Sequence, residues 1–500
     1  VGASTMTDEL DGATAIDLAR RIRDRAISLV ELLDRVIARI ERRNPSLNAM
    51  VIFGFDEARA QARRAEAAVM RGERLGPLHG LPVAMKDCFD FKPGWVSSFG
   101  GVRALRDYRT SAACPFVERM EAAGAIVIGK TNSPIFGFRG TCDNYAFGPS
   151  RNPFNLAKNT GGSSGGSAAM VADGLLPIAE GTDGGGSIRI PAAWCGVYGY
   201  KPAFGRVPMR TRPNAFGGTA PFLFEGAITR TVADAALAVS ALAGYDSRDP
   251  FSLDTGLDPL AALNGSVRGW KIGYSRDFGM YPVDPEVLRV TDQAVAALAA
   301  AGAQVEEVRI DMRHSQQELS DVWCRLVLQG LPLTLEGFRR DGIDLLRDHP
   351  QDLPPELHHW LRVIETRSAV DYLGDQVKRS DVFEAVGRVL DDCRMLVTPT
   401  IACLPVDNAT DGNTVGPRAI NGETVDPLIG WCMTYPVNFT GHPAASVPAG
   451  LSADGLPVGL QLIGRRYADA DVLAASAAIE RERPWQASYA RCAARPLDVH

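Results

Sequence analysis

Residues 161–191 read GGSSGGSAAMVADGLLPIAEGTDGGGSIRIP, and the rest of the chain is organised around them. Two glycine-and-serine clusters, at 161–167 and 184–187, enclose a small-residue helix pattern and a short apolar run at 175–179. Glycine lacks a Cβ, so its backbone reaches positive φ and its N–H can come close to a ligand. Three glycines closed by Ser187 therefore offer a concave set of amide donors beside a hydroxyl, which is what a nucleophile with an oxyanion hole requires. A flexible linker has the same composition. Linkers, however, do not carry Thr182-Asp183 and Ile188-Arg189-Ile190-Pro191 tightly around their glycines.

The 500 residues are 46% hydrophobic and 22% charged, enough to bury a large core. A net charge of −6 with no basic tract argues against nucleic acid as a partner. The nine cysteines are scattered, odd in number and free of C-x-x-C pairs, so they read as reduced thiols filling the core of a cytoplasmic protein. The seven histidines form no H-E-x-x-H and no zinc-spaced set, and neither a metal nor a cofactor is expected. No basic-then-apolar leader opens the sequence and no run of 18 apolar residues occurs, so no membrane association is expected, and Met6 reads as the native start.

Strand and helix patterns alternate along the chain, which predicts an α/β fold with a large central mixed sheet surrounded by helices, in one domain over residues 1–500. An N-terminal helical layer is expected within 1–75, where Thr14-x-x-Asp17 and Ser28-x-x-Glu31 resemble capping boxes and 56–71 gives a third helix. Further strands are expected at 79–86, 125–128, 197–201, 270–274, 305–310, 395–400, 445–448 and 458–463. Helices are expected at 115–123, from Thr231 to about residue 243, at 285–301, and from residue 470. Residues 131–160 read as a long loop, 311–393 as a helical peripheral layer or lid, and 408–426 as a mobile loop.

The strand at 79–86 ends in Lys86. Desolvation at the end of a buried strand favours a neutral amine, which can then act as a base. Residues 124–131, GAIVIGKT, spell the phosphate-loop pattern G-x-x-x-x-G-K-T, but the four middle residues are themselves a strand and leave no open turn for phosphates. A serine hydroxyl needs a base to accept its proton. No histidine lies near the glycine clusters in sequence, so Lys86 is the candidate base, working through an intervening hydroxyl.

With these residues in view, the sequence resembles the amidase signature family of serine hydrolases. The resemblance rests on GLPVAMKD (80–87), GKTN (129–132), GPSRNPFN (148–155), the whole 161–191 block, GYKP (199–202) and LPVGLQLIG (456–464). It implies that Ser187 is the nucleophile, that Ser163 is a bridging serine held by a cis peptide bond, and that Lys86 is the general base. It further implies an oxyanion hole from the N–H groups of Gly184, Gly185, Gly186 and Ser187, with Asp183 and Arg189 holding the loop. Such a relay needs an uncharged Lys86, so activity is expected to fall as pH falls. A rival reading takes Gly161-Gly162-Ser163-Ser164-Gly165 as the G-x-S-x-G elbow of an α/β-hydrolase esterase, with His314 or His442 as the base. That elbow should follow a buried strand, and the preceding residues 157–160 are polar.

The family's glutamine-dependent amidotransferase subunits commonly carry an acid after the T-N motif and an aspartate before the late T-x-P-x-N segment. Here those places hold Ile135 and the Trp431-Cys432-Met433 stretch. Apolar residues in place of polar grips favour an apolar or aromatic amide, as in aryl acylamidases and related ester- and carbamate-cleaving (urethanase-like) enzymes. An amidotransferase subunit is the alternative. Phe136, Phe138, Tyr145, Phe216, Phe222, Phe224 and Trp431 are the candidate pocket lining beside Ile135. The expected partner is a small amide substrate, with the protein a monomer or homodimer.

Overall fold

A computed structural model describes residues 12–254 and 256–497; the expected start at Met6 lies outside them. Eleven strands form the central sheet: β1 (Met50–Phe53), β2 (Pro82–Lys86), β3 (Ile126–Thr131), β4 (Ile178–Asp183), β5 (Tyr198–Lys201), β6 (Phe224–Thr229), β7 (Lys271–Tyr274), β8 (Gln304–Glu307), β9 (Met395–Pro399), β10 (Ala444–Leu451) and β11 (Pro457–Gly464). Their spatial order is β1-β3-β2-β4-β6-β5-β10-β11-β9-β7-β8. The sheet is mixed, as expected. β3, β2 and β4 run parallel at one end and β9, β7 and β8 at the other, with antiparallel pairs between them.

Every residue of β2, β3, β6 and β11 is buried, so these strands are covered on both faces. Helices close the faces: Gly165–Ala172 and Arg189–Cys195 are buried along their whole lengths, and Val232–Leu242 and Asp469–Glu482 add large apolar surfaces. Thr14, Ser28 and Thr231 each cap a helix by accepting from the backbone N–H three residues on. The first two are not reciprocal boxes: Asp17 turns to Arg20 and Arg21, and the Ser28 hydroxyl donates to Glu66. All nine cysteines are buried and free. No described helix is long and apolar enough to cross a membrane.

Four segments depart from the sequence expectation. The N-terminal layer contains strand β1, four residues between two helices, which pairs antiparallel with β3. The Gly- and Phe-rich stretch after residue 201 ends in β6, whose buried Glu225 and Gly226 break any periodic signal. Within 131–160, a short hairpin pairs Arg151–Asn152 with Asn155–Asn159. The loop expected to be mobile at 408–426 is pinned instead: Asn159 donates to Asn408, and Asp143 accepts from both the N–H and the hydroxyl of Thr414.

Candidate active site

Parallel strands β2 and β4 deliver their C-terminal ends to the same edge, where ligand sites in parallel sheets form. β2 ends at Lys86, and β4 runs through Thr182 to Asp183 and into the glycine loop. Lys86 is 1% exposed. Its Nζ donates to Ser163 Oγ at 2.6 Å and to Thr182 Oγ1 at 2.8 Å. Lys130, at the end of the adjacent β3, is equally buried but has a carboxylate, Asp87, at 3.0 Å. That ion pair, with hydrogen bonds to Ser97 Oγ and Val96 O, turns Lys130 inward and leaves it unable to cradle a phosphate.

The Gly162–Ser163 peptide bond is cis. The Ser164 N–H donates to the Ser187 carbonyl at 3.2 Å, which lays the first glycine cluster against the second. Ser187 is 9% exposed, at the entrance to the helix Arg189–Cys195.

The loop before Ser187 is fixed from both sides. Asp183 accepts from the N–H groups of Gly186 (2.7 Å) and Ile188 (3.2 Å) and from Arg189 Nη2 (2.9 Å) and Nε (3.0 Å). Arg189, 0% exposed, also donates to Thr434 O, Gln461 Oε1 and Asn438 Oδ1, so its guanidinium is fully occupied by acceptors. Burial, the largest influence on Asp183, pushes its carboxyl upward. The Arg189 charge and hydrogen bonds, Lys201 and Asn438 outweigh it and hold the carboxyl below the usual carboxylate value. The Gly184 carbonyl accepts from Trp323 Nε1 at 2.9 Å and that of Gly185 from Thr434 Oγ1 at 2.7 Å. Gly186, at φ +124°, has no room for a side chain: a Cβ there would lie 1.9 Å from Thr434 Oγ1.

These bonds refine the expected oxyanion hole. The Gly186 N–H is spent on Asp183, so it points into the protein. The N–H groups of Gly184, Gly185 and Ser187 meet no acceptor among the described residues.

The aromatic candidates divide. Ile135 and Phe136 lie in a 3₁₀ turn, followed by Phe138; a Cβ on Gly137 in the same turn would come 3.3 Å from Ser163 Oγ. Phe136 packs among Phe89, Phe99 and Phe338, and Phe138 stacks on Trp323 at 6.2 Å. Phe222 touches the loop through Asn438, which donates to its carbonyl, and its ring lies under Arg379. The other four are elsewhere. Trp431 is fully buried and stacked on Trp194, Phe224 sits under Lys201 in β6, Tyr145 lies under Arg103, and Phe216 is 63% exposed against Phe251.

Sequence reasoning missed Thr182, Trp323, Thr434, Asn438 and Gln461, and the rings of Phe89, Phe99 and Phe338. Thr182 and Gln461 lie within motifs quoted above, and Thr434 and Asn438 in the T-x-P-x-N segment at 434–438, but their contacts were not foreseen. The rival bases lie outside this constellation: His314 bonds Glu318 and Asp381, while His442 is buried against Thr440 and burial drives its pKa down to about 3.

A family model described as Amidase matches residues 31–473. The chain is 35% identical to an acylamidase of Rhodococcus erythropolis, covering 96% of this chain and 98% of that one. It is 32% identical to a glutamyl-tRNA(Gln) amidotransferase subunit of Geotalea daltonii, over 95% and 98%. Among solved structures, a bacterial aryl acylamidase of the amidase signature family superposes with a TM-score of 0.96 at 48% identity, covering 98% of this chain and all of that one. A 6-aminohexanoate cyclic dimer hydrolase superposes with 0.84 at 28% identity, over 95% and 98%. With the family model spanning most of the chain and relatives similar from end to end, this protein belongs to the amidase signature family of amide hydrolases.

Proposed function

We propose that this amide hydrolase works through a Ser187–Ser163–Lys86 relay and an acyl-enzyme. One observation carries the reading: Lys86 is buried and its Nζ meets two hydroxyls, with no carboxylate within 4.0 Å among the described residues. With hydroxyls rather than a carboxylate around it, the Lys86 amine is placed to exchange a proton with Ser163. Ser187 Oγ attacks the substrate carbonyl as its proton passes to Ser163 Oγ, whose own proton moves to Lys86 Nζ. The oxyanion is received by the N–H groups of Gly184, Gly185 and Ser187, each such donor contributing about 3 kcal/mol to the transition state. Return of the proton through Ser163 releases the amine, and water cleaves the acyl-enzyme by the same relay.

The substrates we propose are small apolar or aryl amides, with esters and carbamates (urethanes) open to the same chemistry. The apolar turn at Ile135, Phe136 and Phe138 beside Ser163, walled by Phe99, Phe338 and Trp323, supports that class. The named relatives include both an acylamidase and an aryl acylamidase, which points the same way. The second reading, an amidotransferase subunit, draws on the similarity to glutamyl-tRNA amidotransferase subunits. The buried Ile135, where those subunits commonly carry an acid, counts against it.

Hydrolysis of a p-nitroanilide panel across pH, by wild type, Ser187→Ala, Ser163→Ala and Lys86→Ala, tests the reading. We expect anilide cleavage by wild type and a loss of at least about 10³-fold in Ser187→Ala. Full activity in Ser187→Ala would end the mechanism. Glutamine deamidation that depends on co-purified partner chains would establish the amidotransferase instead.

A further inference from the structure

Behind the proposed base lies a group of acids that the relay does not use. Asp90, Glu180 and Glu225 are 3%, 0% and 2% exposed. Glu180 comes from β4 and Glu225 from β6, whose register sets Glu225 opposite Thr182 and thus diagonal to Glu180. Asp90 follows β2 by four residues. Glu180 stands between the other two, within hydrogen-bonding reach of both. Its Oε2 accepts the backbone N–H of Lys86 at 2.7 Å. Asp90 Oδ2, Glu180 Oε1 and Glu225 Oε1 are buried with no donor among the described residues. Three buried carboxyl oxygens facing one another without donors need protons between them, since a buried polar atom left unpaired costs several times what a hydrogen bond contributes.

The surroundings show where the charge rests. Lys86 from β2 and Lys130 from β3 bear on Asp90, Arg119 from the helix Pro115–Ala122 bears on Glu225, and Asp87 adds a like charge. Cys114, at the start of that helix, lies with Asp90 and Glu180 in a group whose ligand atoms fall within 4.8 Å. Burial pushes the Cys114 thiol well above its ordinary range, as expected of a protonated side chain. Burial likewise raises all three carboxyls, Asp90 to about 6, Glu225 to about 8 and Glu180 well above the ordinary range. Asp90 is then the first of the three to ionise, and a protonated Glu180 beside it can donate to its carboxylate.

We propose that Glu180 is a positioning residue for Lys86 and works as a neutral acid, holding the Lys86 N–H on Oε2 while shared protons keep the Asp90–Glu180–Glu225 trio from setting more than one negative charge beside the amine. The inference rests on Lys86 acting as the base. Its physical basis is that each added negative charge favours the ammonium form of a nearby amine, which cannot accept the serine proton.

The test is kcat and KM against pH for wild type, Glu180→Leu, Glu180→Gln and Glu225→Gln, with melting temperatures to establish folding. Glu180→Leu removes the acceptor for the Lys86 N–H, and kcat should fall about 10- to 100-fold while KM changes less than about threefold. Glu180→Gln keeps a neutral acceptor and a donor and should restore most of that loss. The wild-type kcat profile should decline above about pH 8 as Glu225 ionises, and Glu225→Gln should remove that limb. Four results would overturn the proposal: Gln no better than Leu at position 180, a folded Glu180→Leu with wild-type kcat, an alkaline limb unmoved in Glu225→Gln, or one equivalent of tightly held metal in the purified protein. If Glu180→Leu does not fold, the Gln variant and the Glu225→Gln profile decide alone. Full activity in Lys86→Ala would instead remove the reading on which the inference stands.

Discussion

The indole Nε1 of Trp323 donates to the Gly184 carbonyl at 2.9 Å, joining the helix Gln316–Val327 to the first of the three glycines before Ser187. Residue 323 lies 139 positions from its partner, in a stretch with no motif of its own. Trp323→Phe keeps the stacking on Phe138 but leaves a carbonyl unpaired, so we expect a loss of about 1–3 kcal/mol in stability. Because the same bond orients the amide donors, kcat for an anilide should fall about tenfold with KM little changed. Urea unfolding and steady-state kinetics on the one variant check both numbers.

The Asp183–Arg189 pair is completely buried, with both side chains at 0% exposure. Removing one partner strands the other charge, so Asp183→Asn and Arg189→Met should each lose about 3–5 kcal/mol. The double variant should lose less than the sum of the two. Chemical denaturation across this double-mutant cycle measures the coupling, and simple additivity would show that the two do not act as a unit.

Stability should depend on pH in both directions. Asp183 is held below the usual value, so its contribution is complete above the unfolded pKa of about 3.9 and is lost as pH falls through the folded value. Asp234, Glu480 and Glu225 are raised, chiefly by burial, to about 6, about 7 and about 8. Their contributions are complete below about pH 4 and are lost as pH rises through those values. Melting temperature should therefore peak near about pH 4 and fall above it, and Glu225→Gln should flatten the alkaline slope. A flat profile from pH 4 to 9 would contradict this balance.

Phe338 meets Phe99 edge-on at 4.9 Å and Phe136 at 6.4 Å, closing the aromatic group beside the proposed site. Phe338→Ala should raise KM for aryl amides by about 10-fold, the equivalent of about 1.4 kcal/mol, and leave small aliphatic amides within about twofold. Specificity constants measured on acetanilide-type and aliphatic amides would separate the two. Equal effects on both classes would place Phe338 in packing alone.

The central strands were legible because β2, β3 and β11 are continuous apolar runs, and the helix starts at Thr14, Ser28 and Thr231 carry local capping chemistry. β1 and β6 were not. Four residues between helices give too short a signal, and a buried glutamate beside a glycine hides a strand whose acid finds partners only in the folded sheet. The same division holds at the site. Ser163 and Ser187 stand out because their backbone needs are written in neighbouring glycines, and Lys86 because it ends an apolar strand. Trp431 and Phe224 resemble pocket residues in sequence, yet the fold spends one on Trp194 and the other on Lys201. Thr434, Asn438 and Gln461 reach Arg189, beside the loop before Ser187, from 245 to 272 residues away, so their contacts appear only in the folded chain.

Arg189 draws its acceptors from residues 434, 438 and 461 as well as from Asp183. During synthesis, a chain halted anywhere before residue 461 therefore lacks part of the mould in which the loop before Ser187 is cast. The middle of the sheet is unfinished as well, since β5 gains its second neighbour only when β10 emerges. A ribosome carrying nine-tenths of this protein therefore holds the loop before Ser187 unshaped, and its geometry is completed only at the end of translation.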